Sequence, residues 1–579
     1  MNGDENKMNY QTIYEKWSAQ SLDHYLASEM DKLQGNPKEI EDCFYQYLSF
    51  GTGGMRGIIG AGTNRMNIYT IRRVAYGLAK QIQTAGSEAM ERGVVIAYDT
   101  RHFSYEFAVE TAKTVGEFGI RTYVFKESRP TPQLSFAIRH LNAFAGVVIT
   151  ASHNPSEYNG FKVYGEDGGQ LPPVAADYIV QYMEEIEDIF AIKAASLAQL
   201  EKEHLLTFVL EEIDEAYQTE LLTLRENKEV IEAENDLSIV YSSLHGSGLV
   251  PVVDGLRNFG FRNVAVVDQQ AVQDGAFPTV AYPNPEERDA FKLAIELGKK
   301  QDADLLLATD PDADRLGVAV KTEGGQYELL TGNQLGALLM NYVLTQKKAK
   351  GTLPENGVVM KTIVTSELGR AVANKFNLTA IDTLTGFKFI SEKVEQFTKT
   401  KEHTFLFGYE ESYGYLIGTF ARDKDAVQAA ILTAEMTAYY KTKGQSLYDG
   451  LIELYEELGY YREALHSITL KGKDGQEQIA AIMNDFRQNP PTTIAGIDVV
   501  AVEDYAKRVK RFASGEEQLL TLPQSNVLKF ILADNTWVCV RPSGTEPKCK
   551  FYVGVKRVSH EEAEQAIEKI LAFIQNELL

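Results

Sequence analysis

Short apolar runs and amphipathic stretches alternate along this chain, and the alternation returns three times. Residues 10–49 come first and read as helices, with Tyr14, Trp17, Tyr25 and Leu33 spaced to share an apolar face. Beyond them, β-rich runs at 93–98, 121–125 and 146–150 predict strands, with helices over 105–118 and 133–141 between them. The same cadence recurs at 237–242, 264–267 and 304–308, with a helix over 287–299. It recurs again at 358–362, 379–383 and 404–408, with helices from Leu335 and from Ser366. Short buried strands separated by helices predict α/β layers with largely parallel sheets. The C-terminal region changes pattern: strands at 526–532, 536–540 and 550–555 precede an amphipathic helix over 561–578, which reads as α+β.

A chain of 579 residues exceeds what one hydrophobic core supports. The pattern divides it into a helical extension (1–44), three α/β domains (45–205, 206–325 and 326–455) and an α+β domain (456–579). The acidic stretch 185–235 reads as helical and carries the boundary between the first two blocks. No tandem repeat is visible, which excludes a solenoid. The expected fold class is α/β: three consecutive α/β domains with mixed, largely parallel sheets plus a smaller C-terminal α+β domain, around one central cleft.

Charge narrows the function. A net charge of −23 argues against nucleic acid and anionic membrane as partners, because both need a basic footprint. A small anionic substrate is allowed if a local cationic site is built against the overall field. Cys43, Cys539 and Cys549 are odd in number and widely spaced, so neither a disulfide framework nor a zinc site is expected. Residues 1–10 are polar and acidic rather than a signal peptide, and no apolar run reaches membrane-spanning length. The expected location is cytoplasmic.

Four polar loops stand out, three of them directly after predicted strands. Thr150-Ala151-Ser152-His153-Asn154-Pro155, with Lys162 beyond it, places a hydroxyl, an imidazole and an amine together, the parts of a covalent intermediate; a polar turn is the plain alternative. Asp310-Pro311-Asp312-Ala313-Asp314-Arg315 puts three carboxylates at alternate positions, able to converge on one hard cation; a solvated acidic turn would look similar. It is not an EF-hand loop, since Arg315 and Lys321 stand where glycine and glutamate are required. Gly408-Tyr409-Glu410-Glu411-Ser412 offers a carboxylate and a hydroxyl to neighbouring hydroxyls of a polyol, although such a sequence also caps ordinary helices. Arg541-Pro542-Ser543-Gly544-Thr545 combines a guanidinium fork, hydroxyls and a glycine, as a phosphate clamp needs; a simple Pro-Gly turn explains only part of it. Gly51 to Gly57 with Arg56, Asp99-Thr100-Arg101, Thr385-Gly386-Phe387-Lys388 and His245 are supporting clusters; His245 serves equally well as a structural histidine.

This set, over about 45–556 and in one order, resembles the α-D-phosphohexomutase family, and its 51–56 and 385–388 segments resemble the bacterial phosphoglucomutase branch. The resemblance implies that Ser152 carries the catalytic phosphate, with Lys162, Arg56 and His153 as its catalytic neighbours. It implies Mg²⁺ held by Asp310, Asp312, Asp314 and an oxygen on Ser152. Glu410 and Ser412 would bind sugar hydroxyls, with Thr385, Gly386, Lys388, Arg422 and Lys424 also in substrate binding. Arg541, Ser543, Gly544 and Thr545 would hold the phosphate that is not transferred. The implied reaction is reversible conversion of glucose 1-phosphate to glucose 6-phosphate through a phosphoserine enzyme and glucose 1,6-bisphosphate, which also primes the enzyme. Phosphopentomutase and phosphomannomutase activities are the alternatives within the family. A Mg²⁺-dependent sugar phosphatase and a non-catalytic sugar-phosphate sensor are the alternatives outside it. The implied partner is a sugar monophosphate, and monomer and homodimer both remain open.

Overall fold

The computed structural model describes residues 9–51, 53–470, 472–543 and 548–577. Its contacts group the chain into two compact units: residues 1–329, 391–399 and 414–442 form one, and residues 330–390, 400–413 and 443–579 the other.

The first unit opens with three helices, Tyr10–Ser18, His24–Leu33 and Pro37–Phe44. Asn9, Asp23 and Asn36 cap them by accepting hydrogen bonds from backbone N–H groups of their first turns. Their shared apolar face closes on Trp17, 1 % exposed, whose ring meets Phe44, Tyr69 and Phe190 edge-on. Through these contacts the three helices are anchored on the first α/β block.

Six strands follow: β1 (Gly54–Ile58), β2 (Val94–Tyr98), β3 (Thr122–Phe125), β4 (Ala145–Ile149), β5 (Tyr158–Tyr164) and β6 (Leu206–Val209). Their sheet order is β1-β5-β4-β2-β3-β6. β4, β2, β3 and β6 run parallel, while β5 is antiparallel to both β4 and β1. Every residue of β2 and β4 is buried, which is why these strands read as unbroken apolar runs. β6 lies just past the expected boundary at 205, so the first sheet extends at least to Val209. The acidic stretch thus contains a strand as well as helices.

The second sheet holds β7 (Ile239–Ser242), β8 (Val264–Val266), β9 (Leu305–Thr309), β10 (Leu316–Lys321) and β11 (Tyr327–Leu330), in the order β11-β10-β9-β7-β8. β8, β7 and β9 are parallel, and β10 folds back antiparallel on β9. Helix Ala426–Lys441 is buried on nearly every face and packs on helix Leu249–Phe259 and on β9 and β10. It is grouped with this unit although chain order suggested the third domain.

In the second unit β12 (Gly357–Thr362), β13 (Thr379–Thr383) and β14 (Thr404–Glu410) form a parallel set, with β12 between the other two. The C-terminal sheet is antiparallel and larger than expected. It joins Tyr460–Thr469, Lys548–Arg557, Trp537–Pro542, Leu528–Leu532, Ile497–Asp504, Val509–Phe512 and Glu517–Leu519 in that order. Ile479, Met483 and Phe486 from one helix, and Ile567, Ile570 and Ile574 from another, close its core.

Candidate active site

Ser152 follows β4, and the chain returns along β5 next to it. The serine is 3 % exposed and left-handed at φ 53°, a conformation that persists in a non-glycine residue only when its surroundings impose it. Those surroundings come from the turn after β2. Ser152 N–H donates to Thr150 Oγ1 at 2.8 Å, and that hydroxyl donates to Asp99 Oδ2 at 2.6 Å. Arg101, 3 % exposed and ion-paired with Asp99 at 3.3 Å, donates to four main-chain carbonyls: those of Ser152, Asn154, Pro155 and Tyr158. One guanidinium therefore ties down the whole loop. Gly160 completes the fit, because a Cβ there would lie 2.5 Å from the Thr150 carbonyl and 2.8 Å from that of Met55.

The Ser152 hydroxyl donates to Asp310 Oδ2 at 2.7 Å and lies 3.2 Å from His153 Nδ1. Asp310 opens the hairpin between β9 and β10, and its Oδ1 accepts the N–H groups of Asp314 and Arg315. Carboxylate oxygens of Asp310, Asp312 and Asp314 lie within 4.8 Å of one another, all buried. Among the described residues, Asp312 Oδ1 and Asp314 Oδ1 are buried without a hydrogen-bond partner. Three clustered hard oxygens, two of them unsatisfied, suit a divalent cation such as Mg²⁺.

Cations crowd this cluster. Lys162, on β5, lies 3.1 Å from Asp312 Oδ2 and 3.7 Å from Asp314 Oδ2. Lys424 lies 3.0 Å from Asp314 Oδ2 and 3.1 Å from Asp423. Arg56, on β1 opposite Gly160, donates to Asn154 Oδ1 at 3.0 Å. Burial and the two neighbouring carboxylates push Asp310 well above the usual carboxylate range. Burial also works against charge on Asp312, but Lys162, a hydrogen bond shared with Asp310 and Lys424 together hold it below that range. Burial, then Arg315 and Arg56, drive His153 well below its ordinary value, so its imidazole is neutral.

Arg422 is not part of this gathering. It is 1 % exposed, and its Nη2 faces Thr398 Oγ1 at 3.2 Å and Glu395 at 3.6 Å. His245 bonds Val272 O and Thr279 Oγ1 through its two ring nitrogens, which is the structural arrangement.

In the second unit Glu410, 6 % exposed, ends β14, and its Oε1 accepts the Gly386 N–H at 2.9 Å. Glu411 Oε2 accepts the hydroxyls of Thr362 and Thr365 at 3.1 and 3.0 Å. Two strand-end loops are thereby fastened around the start of the 410–412 segment, with Ser412 partly exposed. Tyr409 points into the core, where its ring fills the space that side chains at Gly336 and Gly369 would need. Thr385 Oγ1 is buried without a hydrogen-bond partner among the described residues, and the Lys388 ammonium sits 5.3 Å over the Phe389 ring. Arg541 pairs across the sheet with Lys550, and Ser543 N–H donates to Lys548 O at 2.7 Å. Gly544 and Thr545 lie outside the described residues.

Four regions of the chain match the four domains of the phosphoglucomutase/phosphomannomutase family: α/β/α domain I over 47–189, domain II over 215–325, domain III over 331–457 and the C-terminal domain over 490–572. The chain belongs to this family. It is 39 % identical over 529 residues to a phosphoglucomutase of Staphylococcus haemolyticus, covering 91 % of this chain and 94 % of that one. A phosphoglucomutase of Staphylococcus epidermidis is 40 % identical over 537 residues, covering 92 % and 95 %. Among solved structures, a putative phosphomannomutase of Thermus thermophilus superposes with a TM-score of 0.66 at 22 % identity, covering 91 % of this chain and 99 % of that one. A phosphoglucomutase (parafusin) of Paramecium superposes with the same TM-score of 0.66 at 16 % identity, covering 92 % and 95 %. The last two likenesses concern the fold.

Proposed function

We propose that this protein interconverts glucose 1-phosphate and glucose 6-phosphate by passing a phosphoryl group through Ser152. The observation that carries this reading is the Ser152 hydroxyl, hydrogen-bonded to one carboxylate of a buried three-aspartate cluster with Lys162 on its second member. Relatives named phosphoglucomutase, matched over nine-tenths of the chain, support glucose as the sugar.

In the forward half-reaction a sugar hydroxyl oxygen attacks the phosphorus on Ser152. An O–P bond forms, the Ser152 Oγ–P bond breaks, and glucose 1,6-bisphosphate results. The second half-reaction reverses the roles, with Ser152 Oγ attacking the other phosphate. Such transfer needs positioning and charge neutralisation above all. Arg56 supplies fixed positive charge, and Arg101 fixes the loop that aims Ser152. Lys162, as the free amine, takes the hydroxyl proton, and the ammonium so formed returns it to the leaving oxygen. Burial and the Arg315 and Arg56 charges hold His153 well below its ordinary value, which makes it a weak base for that task. Asp310, Asp312 and Asp314 would hold Mg²⁺ together with a phosphoserine oxygen, and the ion would neutralise charge on the phosphoryl oxygens. Glu410 and Ser412 take sugar hydroxyls, Thr385, Gly386 and Lys388 line the same loops, and Arg541, Ser543, Gly544 and Thr545 hold the phosphate that stays. Glucose 1,6-bisphosphate primes the enzyme because it donates a phosphoryl group to Ser152 and leaves as product.

The test supplies glucose 1-phosphate with Mg²⁺ and a trace of glucose 1,6-bisphosphate, and follows glucose 6-phosphate and free phosphate together. Isomer without phosphate release is expected. Phosphate release matching substrate loss would make the protein a hydrolase and end this reading. Ribose 1-phosphate in parallel reports on the sugar; a preference for it would move the activity to pentoses.

A further inference from the structure

The matched family domains begin at residue 47, yet the second of the three helices before them touches the segment that follows the Asp99–Arg101 turn. Tyr25, in the second helix, packs against Phe103 with ring centroids 4.6 Å apart and ring planes tilted by 45°. Phe103 is a left-handed non-glycine residue at φ 64°, and it starts helix Ser104–Gly116 without a side-chain cap. Nothing in its own sequence favours that backbone, so packing must hold it, and Tyr25 on one side and Phe107 at 5.9 Å do so. The residues around Phe103 are the ones that grip the nucleophile loop. Ser104 Oγ donates to Asp99 Oδ1 at 2.7 Å, and Asn159 Nδ2 donates to His102 O and Ser104 Oγ at 3.0 Å each. Asp99 in turn carries Thr150, on which the Ser152 N–H rests.

A second route runs from the third helix. Asp42 Oδ2 accepts Arg65 Nη2 at 2.6 Å, and Cys43 O accepts Asn64 N–H at 2.9 Å. The 59–66 turn held this way donates from Met66 N to Ile58 O at 2.8 Å, at the end of the strand that carries Arg56.

We infer that the N-terminal helices are a positioning element of the phosphoryl-transfer site, in which Tyr25 acts through Phe103 on the Asp99–Arg101 turn to set Ser152. This rests on the reading of Ser152 as the phosphoryl carrier. Tyr25 touches no reacting group; it sets the backbone that presents one.

The test compares Tyr25→Leu and Tyr25→Phe with Leu33→Ala, a buried change at the opposite end of the same helix. Steady-state kinetics with glucose 1-phosphate, thermal unfolding, and amide exchange of the 150–154 peptide are measured on each full-length protein. Tyr25→Leu is expected to lower kcat about tenfold with KM little changed, and to speed exchange at 150–154. Tyr25→Phe, which keeps the ring, restores both. Leu33→Ala lowers Tm without either effect. If Tyr25→Leu behaves as Leu33→Ala does, the inference is overturned while the proposed function stands. An inactive wild-type protein would instead remove the proposed function, and this inference with it.

Discussion

Ser152 and Asp310 are 158 residues apart in the chain, and the hydroxyl of one donates to the carboxylate of the other at 2.7 Å. That bond joins the loop after β4 to the hairpin after β9, so the candidate nucleophile and a candidate metal ligand form one object. Asp312 and Asp314 each keep a buried oxygen without a hydrogen-bond partner among the described residues, a costly state that a bound cation relieves. Mg²⁺ is therefore expected to raise Tm in the wild-type protein. Asp314→Asn should weaken that response and lower activity at limiting Mg²⁺, checked by thermal shift against a Mg²⁺ titration.

Arg101 predicts a loss of rate out of proportion to its distance from any reacting group. Lysine keeps the charge opposite Asp99 but cannot reach the four carbonyls that the guanidinium serves. Arg101→Lys should lower kcat by about 10²-fold and stability by on the order of 2 kcal/mol. Steady-state kinetics and urea unfolding check the two effects separately.

Lys162 and His153 separate charge from proton transfer. Arginine at 162 keeps the ion pair with Asp312 but does not exchange its proton. Lys162→Arg should therefore lose roughly 10²–10⁴ in kcat, the usual share of a general acid–base group. His153→Gln should lose much less, since its neutral ring only supports the serine. The opposite ranking would assign the proton to His153.

Asp425 gives a pH signature away from the reaction. It caps helix Ala426–Lys441 and accepts the Tyr217 hydroxyl, yet burial pushes its carboxyl up to about 6. A pKa raised on folding means the folded state binds the extra proton. Its stabilising effect is complete below the unfolded value near 4 and is lost as pH rises to about 6. Asp425→Asn mimics the protonated form and keeps the cap. The variant should gain stability relative to wild type between pH 4 and 6.5, by no more than about 3 kcal/mol, as chemical denaturation at each pH would show.

Ser152 and Asp310 were legible because each lies just past a short, fully buried strand, which makes a polar loop conspicuous, and Glu410 because it ends a largely buried one. Arg101 could be singled out but not interpreted. Its partners are carbonyls 51–57 residues away, and any residue type supplies a carbonyl. β6 was lost in the acidic stretch because it is four residues long, at a sheet edge, and only partly buried. The Tyr460–Thr469 strand is half-exposed, and charged residues interrupt its apolar alternation. Helix Ala426–Lys441 was assigned by chain order, whereas its burial on nearly every face reflects packing on helix Leu249–Phe259 and on β9 and β10. Tyr409 sits beside Glu410 in the sequence, but it is committed to the core by Gly336 and Gly369. A pattern along the chain reveals which positions are buried, but it does not identify their partners.

The most direct test of the central claim is to mix the protein with glucose 1,6-bisphosphate and Mg²⁺ and locate phosphate by peptide mass spectrometry. The account predicts phosphate on Ser152 with release of glucose monophosphate. It also predicts that Ser152→Ala takes up none and no longer forms glucose 6-phosphate, though it still binds the sugar phosphate. Wild-type turnover by Ser152→Ala, or phosphate carried on another residue, would contradict it.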